Sequence, residues 1–326
     1  MKPFEPILLL AAFGCSSSSP PIAHDVTVAD DPGCGSAHFL HAPSPVGART
    51  IKAANTTIEV WYPASEPGTT KATYDLRDSM PPDEAKKIPD ADNALLTCDC
   101  YRDLPLDTKH GPYPTIVFLH GAASFRAQSA SLATYWASRG FVVVAPDLPG
   151  VGLSAILSGE TAMPSGTVLD VLDALQHDAA FTPFNLDGKV ALVGHSLGAI
   201  LAATAATRPE VTVTITMAGF PITGGTAAHL ALYGDHDSIA PPPHDLDSTT
   251  KVISGAGHLA FTDLCSLGAD RGGALAIAKA HGVPIPAMLE TLALDGCRPT
   301  DAPASETGPK IRAATTGILE ERMHCR

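Results

Sequence analysis

The residues with the clearest chemical potential form a short segment in the middle of the chain, Gly194-His-Ser-Leu-Gly198. An apolar run, Val190 to Val193, comes before it, and small helix-forming residues follow from Ala199. A strand, a tight turn with a serine between glycines, and then a helix form the nucleophile-elbow pattern. The turn lifts the serine hydroxyl above the sheet edge at a helix N-terminus, where developing negative charge is favoured. We therefore predict that Ser196 is a nucleophile.

A serine hydroxyl is a weak nucleophile and needs a general base, and that base needs a carboxylate to orient it. We assign the base to His258, which ends the Gly-rich run Gly255-Ala-Gly-His258 after a predicted strand. Asp235 and Asp237 both follow another predicted strand and compete for the role of the acid. We prefer Asp237 because the spacing Gly234-x-x-Asp237-x-x-x-Pro241 resembles that of a known family of such sites, and we interpret Asp235 as a turn or loop-bracing residue. The order along the chain is serine, aspartate, histidine, as this type of site requires.

The tetrahedral intermediate of acyl transfer needs two backbone N–H donors. The sequence places one at Leu197, directly after the nucleophile, and the other at Ala122, in the loop after a predicted strand. His120 begins that loop, and we expect it to brace the loop. His195 is too close to Ser196 in sequence to serve as its base.

Composition excludes several classes of function. The chain has 326 residues, of which 45% are hydrophobic and 17% are charged, so it can bury a sizeable core. The formal net charge of −13 argues against nucleic acid as a partner. No apolar run is long enough to span a membrane. No group of cysteines and histidines has zinc-like spacing, so we expect neither a metal nor a cofactor.

Strands alternate with helical stretches along most of the chain. We predict strands at 57–62, 113–120, 141–146, 190–193, 211–217, 228–233 and 251–254, with helices between most of them and a terminal helix at 310–322. This alternation predicts an α/β fold with a mostly parallel central sheet and helices on both faces. We expect a single domain over residues 23–326, with residues 63–112 forming a surface excursion.

Residues 1–22 have the pattern of an export signal followed by a tether. Lys2 supplies positive charge, residues 7–13 are apolar, and Cys15 precedes a Ser/Pro stretch. This ending resembles a bacterial lipobox, in which Cys15 would be lipidated, although Ala12 stands where leucine is usual. The alternative is an ordinary signal peptide that is cleaved nearby. Either interpretation predicts a secreted protein or a cell-envelope lipoprotein.

The cysteine count is consistent with export. Apart from Cys15, the chain has six cysteines, which could form three disulfides in an oxidising compartment: Cys34, Cys98, Cys100, Cys265, Cys297 and Cys325. We interpret Cys98 and Cys100 as too close in sequence to pair with each other. We expect Cys265 to pair with Cys297 and to hold the loop that carries His258.

Four motifs together resemble the α/β-hydrolase superfamily, from about Val46 to the end of the chain. They are His120-Gly121, Gly194-His-Ser-Leu-Gly198, Gly234-x-x-Asp237-x-x-x-Pro241 and Gly255-x-Gly-His258. Three further segments resemble an exported branch of that superfamily: residues 58–63, 111–118 and 138–147. This branch holds dienelactone-hydrolase-like proteins, bacterial relatives of platelet-activating-factor acetylhydrolase, and cutinase-like polyester hydrolases.

The resemblance implies a serine carboxylesterase without a cofactor or a large cap domain. Phe220 falls where polyester hydrolases have a substrate-contacting tryptophan, but Ala122 replaces their aromatic residue at the oxyanion position. We therefore expect a monomer that hydrolyses short-chain or small aromatic esters in an open cleft walled by residues 150–165 and Phe220. We expect contact with a membrane only through the lipid anchor. Two alternatives remain: a polyester hydrolase with the same triad, and a non-catalytic surface binding protein.

Overall fold

The computed structural model describes residues 43–164, 166–219 and 227–324. The predictions for residues 1–22, Cys15, Cys34, Phe220 and Cys325 lie outside these residues. The described chain contains one sheet of ten strands. They are β1 (Val46–Ala53), β2 (Thr56–Pro63), β3 (Lys71–Asp75), β4 (Leu95–Arg102), β5 (Tyr113–Leu119), β6 (Val142–Pro146), β7 (Leu186–His195), β8 (Val211–Met217), β9 (Ala228–Gly234) and β10 (Thr250–Ile253).

The strand order in the sheet is β10-β9-β8-β7-β5-β6-β2-β1-β4-β3. The six strands from β10 to β6 are parallel to one another. Strand β2 joins them in the antiparallel direction, and β1 pairs with it as a hairpin partner. The predicted mostly parallel sheet is confirmed. Parallel strands end at a common edge, so the loops after β5, β7, β9 and β10 meet there.

Helices cover both faces of the sheet. They are α1 (Pro82–Ala85), α2 (Ala130–Ala137), α3 (Leu153–Ser158), α4 (Thr167–His177), α5 (Leu197–Ala205), α6 (Ala274–Ala280), α7 (Ala287–Leu292) and α8 (Ala304–Leu319). Short 3-10 turns lie at Leu76–Ser79, Ala179–Phe184, His258–Phe261, Leu264–Ser266 and Ala269–Arg271, and a π-helical turn at Glu320–His324 follows α8. No helix among the described residues is both long and apolar enough to cross a membrane.

Alternate residues of the central strands pack into two hydrophobic cores. In β5, Phe118 packs with α2 and α8 on one face, whereas Val117 packs with α4 and α5 on the other. Because both faces of each strand are covered, β5 and β6 are predominantly apolar, and all of their residues are buried. The two cores hold the sheet rigid and fix the edge at which the site is built.

The interpretation of residues 63–112 as a surface excursion was wrong in part. These residues form β3, α1 and β4, and the two strands extend the sheet beyond β1. The segment Leu95-Leu-Thr-Cys-Asp-Cys-Tyr-Arg102 alternates between exposed and buried residues, as a strand at a half-covered sheet edge requires. The proline- and charge-rich composition of the surrounding residues obscured this alternation.

Candidate active site

The turn between β7 and α5 holds Ser196 in a strained conformation. Ser196 has φ 55° and ψ −120°, in a region that residues other than glycine rarely adopt. The flanking glycines are required by close backbone approach. A Cβ at Gly194 would overlap the Gly198 carbonyl, and a Cβ at Gly198 would overlap the Leu119 carbonyl. The sequence pattern therefore forces the turn that presents the serine hydroxyl at the sheet edge.

The structure brings Ser196, His258 and Asp237 together in one hydrogen-bonded row. His258 Nε2 lies 2.9 Å from Ser196 Oγ, and His258 Nδ1 lies 2.9 Å from Asp237 Oδ2. The imidazole and the carboxylate are both buried, with exposed fractions of 2% and 3%. Burial keeps the pair out of bulk water, where their mutual attraction would be weakened.

The two oxygens of the Asp237 carboxylate have different partners, and this determines which ring nitrogen of His258 carries the proton. Asp237 Oδ1 accepts hydrogen bonds from the N–H groups of Ile239 and Ala240, each at 2.8 Å. Asp237 Oδ2 is thereby left facing the imidazole, so Nδ1 of His258 donates and Nε2 can accept the serine proton. Asp235 does not take part in the row, because its carboxylate accepts the N–H of Gly255 at 2.6 Å. It braces the loop that leads to His258.

The loop after β5 lies against the serine. A Cβ at Gly121 would stand 3.1 Å from Ser196 Cβ. The N–H of Gly121 donates to Gln128 Oε1 at 3.2 Å, and that of Ala123 donates to Val151 O at 2.8 Å. Among the described residues, the Ala122 N–H between them has no acceptor. It therefore remains available for a developing oxyanion, as does Leu197 N–H, the first in α5.

His120 holds this loop as a neutral imidazole. Its Nε2 accepts the N–H of Leu148 at 3.0 Å, and its Nδ1 lies 2.8 Å from the Gly121 carbonyl. Because Nε2 accepts, the ring proton is on Nδ1. Complete burial lowers the pKa of His120 below its usual value. The side chain thus ties the loop after β5 to the loop after β6.

His195 holds the backbone of the general base, His258, in place. Its Nε2 donates to the His258 carbonyl at 2.9 Å, and its Nδ1 accepts from Gln128 Nε2 at 3.2 Å. Burial lowers the pKa of His195 to about 3, and the neighbouring His258 contributes to that shift. Gln128 therefore connects the Gly121 loop to His195, and His195 connects to His258. Gln128 was not predicted, because it lies among the polar residues that precede α2 and no motif marks it.

Asp295 is the other residue that sequence reasoning missed. It is fully buried, and it accepts the N–H of His258 at 2.8 Å through Oδ1 and the N–H of Ser238 at 3.0 Å through Oδ2. The Ser238 hydroxyl also donates to Asp295, and Arg298 lies 3.2 Å from its Oδ2. Burial alone would raise the pKa of Asp295, but these hydrogen bonds and the Arg298 charge outweigh it and hold the pKa below its usual range.

Asp295 therefore joins the loop of the acid to the loop of the base. Replacing Asp295 by alanine should lower the free energy of unfolding by about 2 to 4 kcal/mol, because the buried N–H of His258 and the partly buried donors of Ser238 and Arg298 lose their acceptor. It should also lower kcat more than it raises KM, since the spacing of Asp237 and His258 would loosen. Asp295→Asn, which keeps one acceptor oxygen, is the matched control. It should retain part of the stability and part of the kcat that Asp295→Ala loses. Urea denaturation and steady-state ester hydrolysis measure the two effects, and wild-type kcat in Asp295→Ala would contradict this role.

The structure forms two disulfides among the described residues. Cys265 is bonded to Cys297, the pair expected from the sequence, and Cys297 lies two residues after Asp295. Cys98 is bonded to Cys100, which corrects the interpretation that these two are too close to pair. Alternate residues of a strand project from the same face, and the Cα–Cα distance of 5.2 Å here lies within the range that a disulfide spans.

The two disulfides should differ in their effect on stability. Cys265–Cys297 closes a loop of 32 residues in sequence separation, for which chain entropy suggests about 3 to 4 kcal/mol. Replacing both cysteines by serine should lower the free energy of unfolding by about that amount and should also lower kcat. The double replacement of Cys98 and Cys100 is the control, because its loop is far shorter. An equal loss of stability in the two variants, measured by urea denaturation, would show that loop length does not govern the effect.

A cavity of about 360 Å³ opens beside the row. Ala122 and Leu259 are among its lining residues, and Leu153 and Leu157 of α3 form part of its wall. Most of the remaining wall comes from residues 76–94 and 264–297. Of the walls predicted from the sequence, residues 150–165 do contribute, and Phe220 lies outside the described residues.

No group of three or more His, Cys, Asp or Glu side chains in the described parts of the chain is placed to hold a metal ion. The chemistry available at the site is that of the hydroxyl, the imidazole, the carboxylate and the backbone N–H groups.

Comparisons with known proteins identify the fold and the family. A family model described as "Alpha/beta hydrolase family" matches residues 116–311, and one described as "Platelet-activating factor acetylhydrolase, isoform II" matches residues 53–150. No curated protein matches the sequence significantly. Among solved structures, a ferulic acid esterase from Streptomyces cinnamoneus is similar, with a TM-score of 0.55 and 17% identity over 89% of this chain and 93% of that chain. At this identity the likeness shows a shared fold.

Proposed function

Since this chain belongs to the alpha/beta hydrolase family and is a hydrolase of carboxylic esters, we propose that it cleaves them through an acyl-enzyme on Ser196. The observation that carries the proposal is the hydrogen-bonded row from Ser196 through His258 to Asp237. A structural serine does not need a strained backbone conformation, a buried imidazole on its hydroxyl and a carboxylate behind that imidazole. All three features serve proton transfer from the hydroxyl.

The reaction follows from the placement of these groups. His258 Nε2 takes the proton of Ser196 Oγ as the oxygen attacks the ester carbonyl carbon. Asp237 holds the imidazole and stabilises its protonated form. The N–H groups of Ala122 and Leu197 stabilise the oxyanion of the tetrahedral intermediate. The protonated imidazole then gives its proton to the leaving alcohol, and water activated by the same imidazole releases the acid from Ser196.

We propose that the protein works outside the cytoplasm, as a secreted protein or a cell-envelope lipoprotein anchored through Cys15. Two disulfides among the described residues support this proposal, because disulfides persist in oxidising compartments. The apolar and Ser/Pro pattern of residues 1–22 supports it independently. Its substrate would be a small ester, and we expect the protein to act as a monomer.

The direct test is hydrolysis of p-nitrophenyl acetate by the purified protein beside incubation with a polyester film. We expect turnover of the small ester that Ser196→Ala abolishes, and little release of soluble product from the film. Release from the film at a comparable rate would favour the polyester hydrolase. A folded protein that hydrolyses neither substrate and binds esters unchanged would favour a non-catalytic binding protein.

A further inference from the structure

The cavity beside the catalytic row has no role in the proton transfers. We propose that it binds the acyl part of the substrate, and that it fits an uncharged acyl chain of medium length. This inference rests on the proposed ester hydrolysis. It names the substrate class for the same site, and it differs from the short acyl chains that the sequence predicts.

Two segments of the reaction centre contribute to the cavity. Ala122, whose N–H faces the expected oxyanion, lines it together with the next three residues of the same loop, up to Phe125. Leu259, which directly follows the base His258, also lines it. A group attached to the reacting carbonyl carbon can therefore enter the cavity while the carbonyl oxygen stays in the oxyanion hole.

The walls select an apolar group. Leu157, Leu264 and Leu289 are among the many aliphatic side chains that line the cavity. The single charged lining side chain that the structure describes is Arg77, and its guanidinium is already engaged. Asp75 binds it at 2.7 Å and Asp90 at 2.7 Å.

A charged acyl group would therefore lose its hydration in the cavity without gaining an opposite charge. An aliphatic chain, by contrast, would gain the favourable free energy of leaving water.

The volume of the cavity limits the length of the acyl chain that it can bind. A cavity of about 360 Å³ lies at the small end of the range for ligand pockets. Pockets of this size bury a small organic ligand, so we expect the cavity to take an acyl chain of about eight to ten carbons.

The position of the base indicates which half of the ester enters the cavity. The alkoxy oxygen must reach His258 Nε2 to take its proton, and neither His258 nor Ser196 lines the cavity. The acyl group also stays bound through both half-reactions, next to the oxyanion loop throughout. A pocket built on four consecutive residues of that loop therefore suits the acyl group better than the leaving alcohol.

The first measurement is kcat/KM for p-nitrophenyl esters from acetate to dodecanoate. For the wild-type protein we expect about a two- to fourfold rise per added methylene up to octanoate or decanoate, then a fall. A steady decline from acetate onward would overturn the pocket assignment. Hydrolysis of the acetate itself tests the proposed function separately, because it needs the catalytic row and not the cavity.

Three variants test whether the dependence of kcat/KM on acyl chain length arises in the cavity. Ala278→Phe on α6 projects into the cavity and should lower the octanoate-to-acetate ratio of kcat/KM by about tenfold or more. Ala280→Phe, on the same helix but exposed and outside the cavity, is the matched control and should leave the ratio unchanged. Leu289→Ala enlarges the cavity and should move the optimum to longer chains, so the proposal stays testable if Ala278→Phe fails to fold. Unchanged ratios in both cavity variants would overturn the proposal.

A pair of closely matched esters separates the two halves of the substrate. Methyl octanoate and octyl acetate differ by one methylene in total but carry the long chain on opposite sides of the ester oxygen. We expect the wild-type protein to prefer methyl octanoate, and Ala278→Phe to remove that preference. A preference for octyl acetate that Ala278→Phe removes would show that the cavity binds the alcohol and would overturn the acyl assignment.

Discussion

Replacing Ser196 by alanine is expected to lower kcat/KM for ester hydrolysis by about 10³-fold or more. The hydroxyl oxygen is the atom that would form the acyl-enzyme, and alanine has no atom in its place. What remains is the contribution of the oxyanion hole and of substrate binding. The fold should stay intact, because the backbone of the turn is held by the close approach of Gly194 and Gly198 to their neighbours.

The control is Ser158→Ala, which removes an exposed hydroxyl at the end of α3 and should leave activity unchanged. Circular dichroism and urea denaturation verify that both variants fold. Near-normal kcat in folded Ser196→Ala would contradict nucleophilic catalysis by this residue.

Replacing Asp237 by asparagine should lower kcat by about 10⁴-fold. The N–H groups of Ile239 and Ala240 both point at the Oδ1 position, so the amide oxygen must take that place. The amide NH₂ then faces His258 Nδ1, which must become the acceptor. The imidazole proton moves to Nε2, and the ring can no longer take the proton of Ser196.

Asp235→Asn tests whether this effect belongs to Asp237 alone. Asp235 binds the N–H of Gly255 and does not reach the imidazole in the described structure. An amide oxygen can accept the same hydrogen bond, so we expect a loss in kcat well under tenfold. A larger loss in Asp235→Asn than in Asp237→Asn would transfer the role of the acid to Asp235.

The parts of the site that were predictable from sequence depend on local backbone geometry. Gly194 and Gly198 around Ser196 are needed for steric reasons that act within a few residues. The loops of Asp237 and His258 each follow a buried strand, and parallel strands deliver such loops to one edge of the sheet. Local patterns and a single topological rule were therefore enough to bring these three side chains together.

The parts that were missed depend on contacts between distant segments. Asp295 joins two loops from a position 37 residues after His258, and nothing in its neighbourhood distinguishes it from a surface aspartate. Gln128 is equally unremarkable in sequence. The cavity is enclosed by residues 76–94 and 264–297, which meet only once the sheet has formed. The alternation in β4 was visible, but the surrounding prolines and charges favoured a loop.

The most direct test of the central claim is covalent labelling with a fluorophosphonate, followed by peptide mapping. The phosphorus atom is attacked by an activated serine and mimics the tetrahedral intermediate of ester hydrolysis. We expect one adduct, on the peptide that carries Ser196, with ester hydrolysis lost in proportion to labelling and with no adduct in Ser196→Ala. Full ester hydrolysis after prolonged exposure, or stoichiometric labelling at another residue, would contradict an acyl-enzyme on Ser196.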